Sequence, residues 1–440
     1  MQVSQEQGLG HDPLQPGIDD KAITSINSAI EAPQSVEETG VGRSLLEGLL
    51  LKILSLEGEL SLVDLSHRMR VSYLIVEELF ERLRKEQLCE VKGMTGGVHR
   101  IVLSSRGQTE AMKLLSQNQY TGPAPVSLKE YVKRVRAQSN RDVDVHPPDI
   151  ARAFSNMVLN PETLGQIGTA VVSGRSIFLY GPSGTGKTAI AETLPSIYRD
   201  FVWVPYAIAV DGHIIGIYDS ELHQPSEDTP SESDGRWILC RRPRVLTGGE
   251  LTVEMLDLQF NHQTKLYTAP LQMRANNGVL ILDDFGRQRS RPEELLNRWI
   301  VPLDRRIDLL TLVGGKKFEI PFELFVVFCT NLDPATLADE ALLRRIQSKV
   351  RLDYVNRPQF HQIFRSVCSQ SSLAYDAAII DRLVDMLTEM NQPLRPCYPR
   401  DFVDQICWAA RYEGTQPQLR ADTLAHACRN YFLSSHRGAA

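Results

Sequence analysis

Ser176-Ile-Phe-Leu-Tyr-Gly-Pro-Ser-Gly-Thr-Gly-Lys-Thr188 is the stretch on which the fold turns. A short apolar strand runs into Gly181-Pro182-Ser183-Gly184-Thr185-Gly186-Lys187-Thr188, and Ala189-Ile-Ala-Glu-Thr-Leu continues at helical spacing. The pattern is G-x-x-x-x-G-K-[ST] between a strand and a helix, the context that distinguishes a phosphate-binding loop from a chance glycine run. Glycines let backbone N–H groups curl around a polyphosphate without Cβ clashes, and the following helix points its positive end at the same anion. Lys187 is expected to reach the outer phosphates and the Thr188 hydroxyl to sit on Mg²⁺. The expected ligands are therefore a nucleoside triphosphate and Mg²⁺.

Further along, Gly278-Val-Leu-Ile-Leu-Asp283-Asp284 is a continuous apolar run that ends in two acids. Such a run predicts a strand buried on both faces, with its carboxyl end at the ligand. Asp283 is expected to hold the metal, directly or through water, and Asp284 to orient and deprotonate an attacking water. A third run, Leu324-Phe-Val-Val-Phe-Cys-Thr330-Asn331, ends in an amide placed to contact the γ-phosphate or hold that water.

These three elements, in this order, resemble the AAA+ ATPase superfamily over roughly residues 150–435. Gly181–Thr188 matches its Walker A loop, Val279–Asp284 its Walker B strand, and Thr330-Asn331 its sensor 1. Ala341-Leu-Leu-Arg344-Arg345-Ile346 resembles the segment carrying the arginine finger, with Arg345 preferred and Arg344 in reserve. Tyr398-Pro-Arg400-Asp-Phe-Val resembles sensor 2, with Arg400 preferred over Arg395. The resemblance implies an α/β fold: a P-loop NTPase parallel sheet with a C-terminal helical lid. It also implies a homo-oligomeric ring, expected to be a hexamer, because the finger is donated by a neighbouring subunit. One position departs from the pattern. Many members have Glu as the second Walker B acid, and Asp284 is one methylene shorter, which predicts slow or partner-dependent hydrolysis.

The rest of the chain divides by composition. Residues 1–41 are polar and read as a disordered tail. In residues 42–116, three helices followed by two strands around Gly93-Met-Thr-Gly-Gly97 resemble a winged-helix domain. Residues 43–113 hold eleven Lys/Arg against ten Asp/Glu, a net of +1, and the third helix opens with Glu77, Glu78 and Glu81. Phosphates repel such a helix, so protein docking is favoured over DNA. Residues 117–150 read as a linker with one basic helix, 151–355 as the ATPase core with an insertion at about 219–250, and 356–440 as the lid. His213, His223 and His262 lack metal-ligand spacing and read as surface residues.

With 440 residues, a net charge of −6 and 42% hydrophobic content, the chain has the balance of a multidomain soluble protein. No apolar run approaches a membrane span and no basic-then-apolar leader opens it, so a cytoplasmic protein is expected. Seven scattered cysteines predict reduced thiols.

The hairpin pattern over Arg306–Ile320, turning at Gly314-Gly315 just before sensor 1, resembles MoxR-like ATPases, magnesium-chelatase-type subunits and bacterial enhancer-binding activators. The activators' G-A-F-T-G-A loop is missing. The reading is a Mg-dependent ATPase that remodels protein partners, with a client or adaptor protein. The alternative is a DNA-linked ATPase or transcription-regulatory switch working through the winged helix.

Overall fold

The computed structural model describes residues 29–95, 98–230, 232–337 and 340–432. The expected tail therefore lies largely outside the described residues.

The fold is α/β and centres on five parallel strands. Their spatial order is Arg244–Thr247, Val279–Leu282, Phe325–Thr330, Ser176–Tyr180 and Ser348–Arg351. Both central apolar runs, Val279–Leu282 and Phe325–Thr330, are buried at every position. Alternate residues face opposite sides, as a pleated strand requires. Phe178, Leu280, Leu282, Val326 and Phe328 pack with Trp299 on one face. Ile177, Leu179, Val279, Ile281 and Val327 pack with Ile167 and Ile190 on the other. At about 1.5–3 kcal/mol for each large apolar side chain removed from water, these two layers are the main force holding the sheet.

Four helices follow the sheet: Arg357–Gln370, Ala377–Glu389, Tyr398–Glu413 and Ala421–Tyr431. They enclose a separate core around Phe360, Phe364, Leu387 and Phe402. Asn356 starts the first of them with a reciprocal capping box to Gln359, which satisfies two end amides that would otherwise lack partners.

The N-terminal unit has helices Arg43–Glu57, Leu62–Met69 and Tyr73–Lys85, then the antiparallel pair Cys89–Thr95 and Val98–Leu103, then helix Ser105–Gln117. Ser61 caps the second helix, its hydroxyl accepting from the Asp64 amide.

Four expectations are corrected here. Residues 29–41, read as part of a tail, contain Val36 and Val41, which are buried in the N-terminal core. Thr39 offers its carbonyl to Arg236, which is itself buried in a salt bridge with Asp234. Apolar content was low in this segment, but a few well-placed residues suffice when a neighbouring unit supplies the rest of the core.

Residues 117–150, read as a linker, form strand Val126–Ser127 and helix Leu128–Ala137 and then enter the protein interior. Gln138 exchanges two hydrogen bonds with the Trp203 backbone, and the Asn140 amide donates to the Gly278 carbonyl at 2.7 Å. Polar composition was taken for solvent exposure, whereas these side chains satisfy buried backbone groups.

The insertion is also larger than a polar loop at 219–250. Ala207–Val210, His213–Gly216, Gln259–Asn261 and Leu266–Thr268 join Val126–Ser127 in one sheet. Phe201–Pro205 pairs with Trp237–Arg241, and Ile307–Thr311 pairs with Lys317–Pro321 across Gly314-Gly315. All share one apolar core with Tyr131, Trp203 and Tyr267. Pro243 separates Trp237–Arg241 from Arg244–Thr247, and the latter is the edge strand of the central sheet. His223, read as a surface residue, is fully buried. Its ring bridges the Asp219 backbone and the Arg274 carbonyl at 3.0 Å, and burial lowers its pKa below the ordinary imidazole value.

Among the described residues, no helix is long and apolar enough to cross a membrane.

Candidate functional site

The site lies where the parallel strands end. Strand Ser176–Tyr180 delivers the loop Gly181–Gly186 to the start of helix Lys187–Thr193. The loop's shape demands glycine at two places. Gly181 has φ 136°, and a Cβ there would stand 2.1 Å from the Leu352 carbonyl oxygen. Gly184 has φ 80°, and its Cβ would meet Cys397 Sγ at 2.7 Å. Thr185 is buried and donates from Oγ1 to the Pro182 carbonyl at 2.9 Å, which braces the bend.

Lys187 Nζ folds back over this loop and donates to the carbonyls of Gly181 and Pro182 at 2.9 and 2.7 Å. Burial lowers its pKa, against the opposing pull of Cys329, Asp284 and Asp283. The ammonium is thus tethered to the backbone that would surround a phosphate, and an incoming anion can take over those bonds.

Thr188 and Asp283 come from different elements, yet Thr188 Oγ1 lies 3.0 Å from both Asp283 carboxylate oxygens. Strands Ser176–Tyr180 and Val279–Leu282 are separated by Phe325–Thr330, so the contact spans the sheet's carboxyl edge. The Asp283 amide donates to Thr247 at 2.8 Å, which fixes where the acid emerges. A hydroxyl beside a carboxylate is an oxygen-only donor set, which suits a hard cation such as Mg²⁺. Asp284 follows with φ 47°, a left-handed conformation that Asp tolerates better than most residues, and it is exposed. Its side chain has no hydrogen bond among the described residues. Asn331 leaves the neighbouring strand beside Tyr180, since Thr330 pairs with Tyr180.

A cavity of about 480 Å³ adjoins the loop. Met157 and Leu159, Ile190, Tyr354 and Ile363 form apolar walls, while Thr185 and Gly186 stand at the phosphate-loop end. Arg400, third residue of helix Tyr398–Glu413, also lines it, so the helical unit closes the cavity against the sheet. The Cys397 amide donates to the Gly184 carbonyl at 3.2 Å. Arg395 packs its stem on Gly184 too, and its Nε is buried without a partner.

The two finger candidates separate. Arg345 is half-buried and its Nε donates to Asp304 at 2.7 Å. Arg344 is exposed and makes no ion pair among the described residues. Neither lines the cavity.

Sequence reasoning missed the walls at 156–160 and 352–355 and the part played by Cys397. The one local signal was Asn160-Pro161, which caps helix Pro161–Ser173 through Asn160 Oδ1 and the Thr163 amide at 2.6 Å.

A family described as a domain of unknown function (DUF8689) matches residues 356–430, the helical unit. No curated protein matches the chain in sequence. Among solved structures, NtrX from Brucella abortus is similar at 14% identity and a TM-score of 0.37, covering 62% of this chain. This chain spans 56% of that NtrX chain. The RuvB Holliday junction branch migration motor of Thermotoga maritima is similar at 12% identity and a TM-score of 0.36, covering 67% of this chain and 72% of its own. A P216G variant of RuvB gives 12% identity and a TM-score of 0.35.

Proposed function

We propose that the chain is a Mg²⁺-dependent ATPase of the AAA+ type. One observation carries the reading: Thr188 Oγ1 sits 3.0 Å from both Asp283 oxygens beside a glycine-rich loop that only glycines can form. The base and ribose of ATP occupy the cavity between the sheet and the helical lid, and the polyphosphate lies in the loop under Lys187. Thr188 and Asp283 would hold Mg²⁺, which would supply charge neutralisation at the phosphates. Asp284, exposed and free of hydrogen bonds on its side chain, takes the proton of the attacking water, and Asn331 orients that water. Arg400 reports nucleotide to the lid. A neighbouring subunit supplies an arginine to the developing charge, which makes the working form a ring, proposed as a hexamer. Arg344, being exposed and without an ion pair, is now the better candidate; Arg345 leaves Asp304 only at the cost of that pair.

The N-terminal unit is proposed as a winged-helix-like docking module of a MoxR-like remodelling ATPase acting on protein partners. Glu77 and Glu81 are exposed on helix Tyr73–Lys85, which favours a protein over DNA. The test is Mg²⁺-dependent release of phosphate from ATP by the full chain, with and without a DNA duplex across a range of salt. Turnover that Lys187→Ala abolishes supports the reading. No turnover at any protein concentration, or turnover that needs DNA and falls steeply with salt, sinks the ATPase or the protein-directed half respectively.

A further inference from the structure

The end of the sheet where the strands begin, opposite the nucleotide site, gathers four guanidinium groups. Arg242 is buried and paired with Asp200 at 2.5 Å. Arg306 donates to the Gly174 carbonyl, and Glu323 lies 3.7 Å away. Ser139 donates to the same Glu323 carboxylate at 2.7 Å. The Arg141 stem covers Gly174 so closely that a Cβ there would stand 2.5 Å from its Cγ. Arg175 is the next residue in the chain. Among the described residues, neither the Arg141 nor the Arg175 guanidinium has a hydrogen bond or an ion pair. Arg242 is thus matched by Asp200 and Arg306 by Glu323, whereas Arg141 and Arg175 are unmatched among the described residues.

Two further features mark this place. The Tyr198 ring lies 5.4 Å from the Arg242 guanidinium, is 8% exposed, and its buried hydroxyl has no hydrogen-bond partner among the described residues. Buried hydroxyls are normally satisfied, so an unpartnered one is an available donor. Arg306 holds φ 59° as the cap after helix Ile300–Arg305, which turns its chain out of the helix at this point. Burial lowers the Arg306 pKa, and Arg141 and Arg175 push it the same way against Glu323. Like charges held together this way are relieved by an anion.

We propose that this arginine cluster binds a phosphate-type oxyanion, with Arg141 and Arg175 as its open donors, Arg306 behind them and Tyr198 as a hydroxyl donor. Guanidinium forks match tetrahedral oxyanions well and keep their charge at every physiological pH. The exposed Arg141 and half-exposed Arg175 give access from solvent.

The test is calorimetric titration of inorganic phosphate into the full chain carrying Lys187→Ala, which silences the phosphate loop. One phosphate site is expected to persist there and to weaken at least about tenfold when Arg141→Ala and Arg175→Ala are added. Tyr198→Phe is expected to weaken it to a smaller degree. If the double variant fails to fold, Arg175→Gln alone serves, because its side chain bonds nothing. Loss of all phosphate binding with Lys187→Ala, or full retention in the arginine variants, overturns the proposal. So does a surface that binds a short DNA duplex through these arginines but no free phosphate. None of these outcomes depends on whether ATP is hydrolysed.

Discussion

The Cys397 amide donates to the Gly184 carbonyl at 3.2 Å, so the C-terminal helical unit is hydrogen-bonded to the tip of the glycine-rich loop itself. The contact is tight: Gly184 has no room for a methyl group, with Cys397 Sγ 2.7 Å and Arg395 Cδ 3.2 Å from where it would sit. Any change in loop shape on nucleotide binding is thus felt by the first turn of helix Tyr398–Glu413, where Arg400 resides.

Gly184→Ala is expected to separate lid from loop, because the new methyl both clashes and opposes a φ of 80°. The strain is about 1–3 kcal/mol, enough to weaken nucleotide affinity roughly fivefold or more. Adding Cys397→Gly opens space and should restore part of the affinity, though the backbone strain remains. Fluorescent-nucleotide titration of both variants reads this directly; equal weakening in the single and double variants would assign the whole effect to backbone strain.

Asp284→Asn keeps the shape of the side chain and removes its basicity. Turnover should fall about 10²–10⁴-fold while ATP affinity stays within a few-fold, since Asp283 and Thr188 remain. Asp284→Glu restores the longer acid and should raise kcat if the short side chain limits proton transfer. A parallel loss of affinity in Asp284→Asn would place this residue in ground-state binding instead.

Arg344→Ala and Arg345→Ala should differ. Removing the exposed Arg344 is expected to lower turnover about 10³-fold or more in the assembled state and leave the melting temperature unchanged. Removing Arg345 frees Asp304 and should chiefly lower stability, by roughly 1 kcal/mol for a partly exposed pair. Mixing Arg344→Ala with Lys187→Ala chains gives the decisive reading. Recovered activity means that the arginine acts across a subunit boundary, and its absence removes the inter-subunit role.

Lys52 gives a pH signature. It is buried at 3% exposure in helix Arg43–Glu57, bonded to Asn118 Oδ1 at 2.6 Å, and burial lowers its pKa from 10.5 to about 8. The unfolded chain therefore holds the proton more tightly than the folded one between those values. Stability from this group rises with pH across that window, and below about pH 8 the buried charge is a standing cost. Lys52→Met should flatten the rise, measured as melting temperature against pH. A rise of equal steepness in the variant would assign it to other groups.

Much of the site was legible in the chain because its parts are local. Gly181–Thr188 must curl and cap a helix within eight residues, and the apolar runs ending at Asp283 and Thr330 show their burial in composition alone. What could not be read was non-local or depended on partners. His223 looks like any loop histidine until Asp219 and Arg274 enclose it. Residues 117–150 look like a linker until Gln138 and Asn140 are seen satisfying backbone groups of Trp203 and Gly278. Adjacent arginines 344 and 345 are alike in sequence, and only the position of Asp304, forty-one residues away, tells them apart.

The sequence by itself therefore determined the glycine-rich loop, the acids that accompany it and the parallel sheet, because periodicity and glycine geometry act over a few residues. Only the tertiary structure decided which side chains are spoken for. Helical unit and loop meet at Cys397 and Gly184, one arginine of two is tied to Asp304, and Arg141 and Arg175 stand without ion pairs among the described residues at the far end of the sheet. Burial and charge pairing are properties of contacts made across the fold, and spacing along the chain does not encode them.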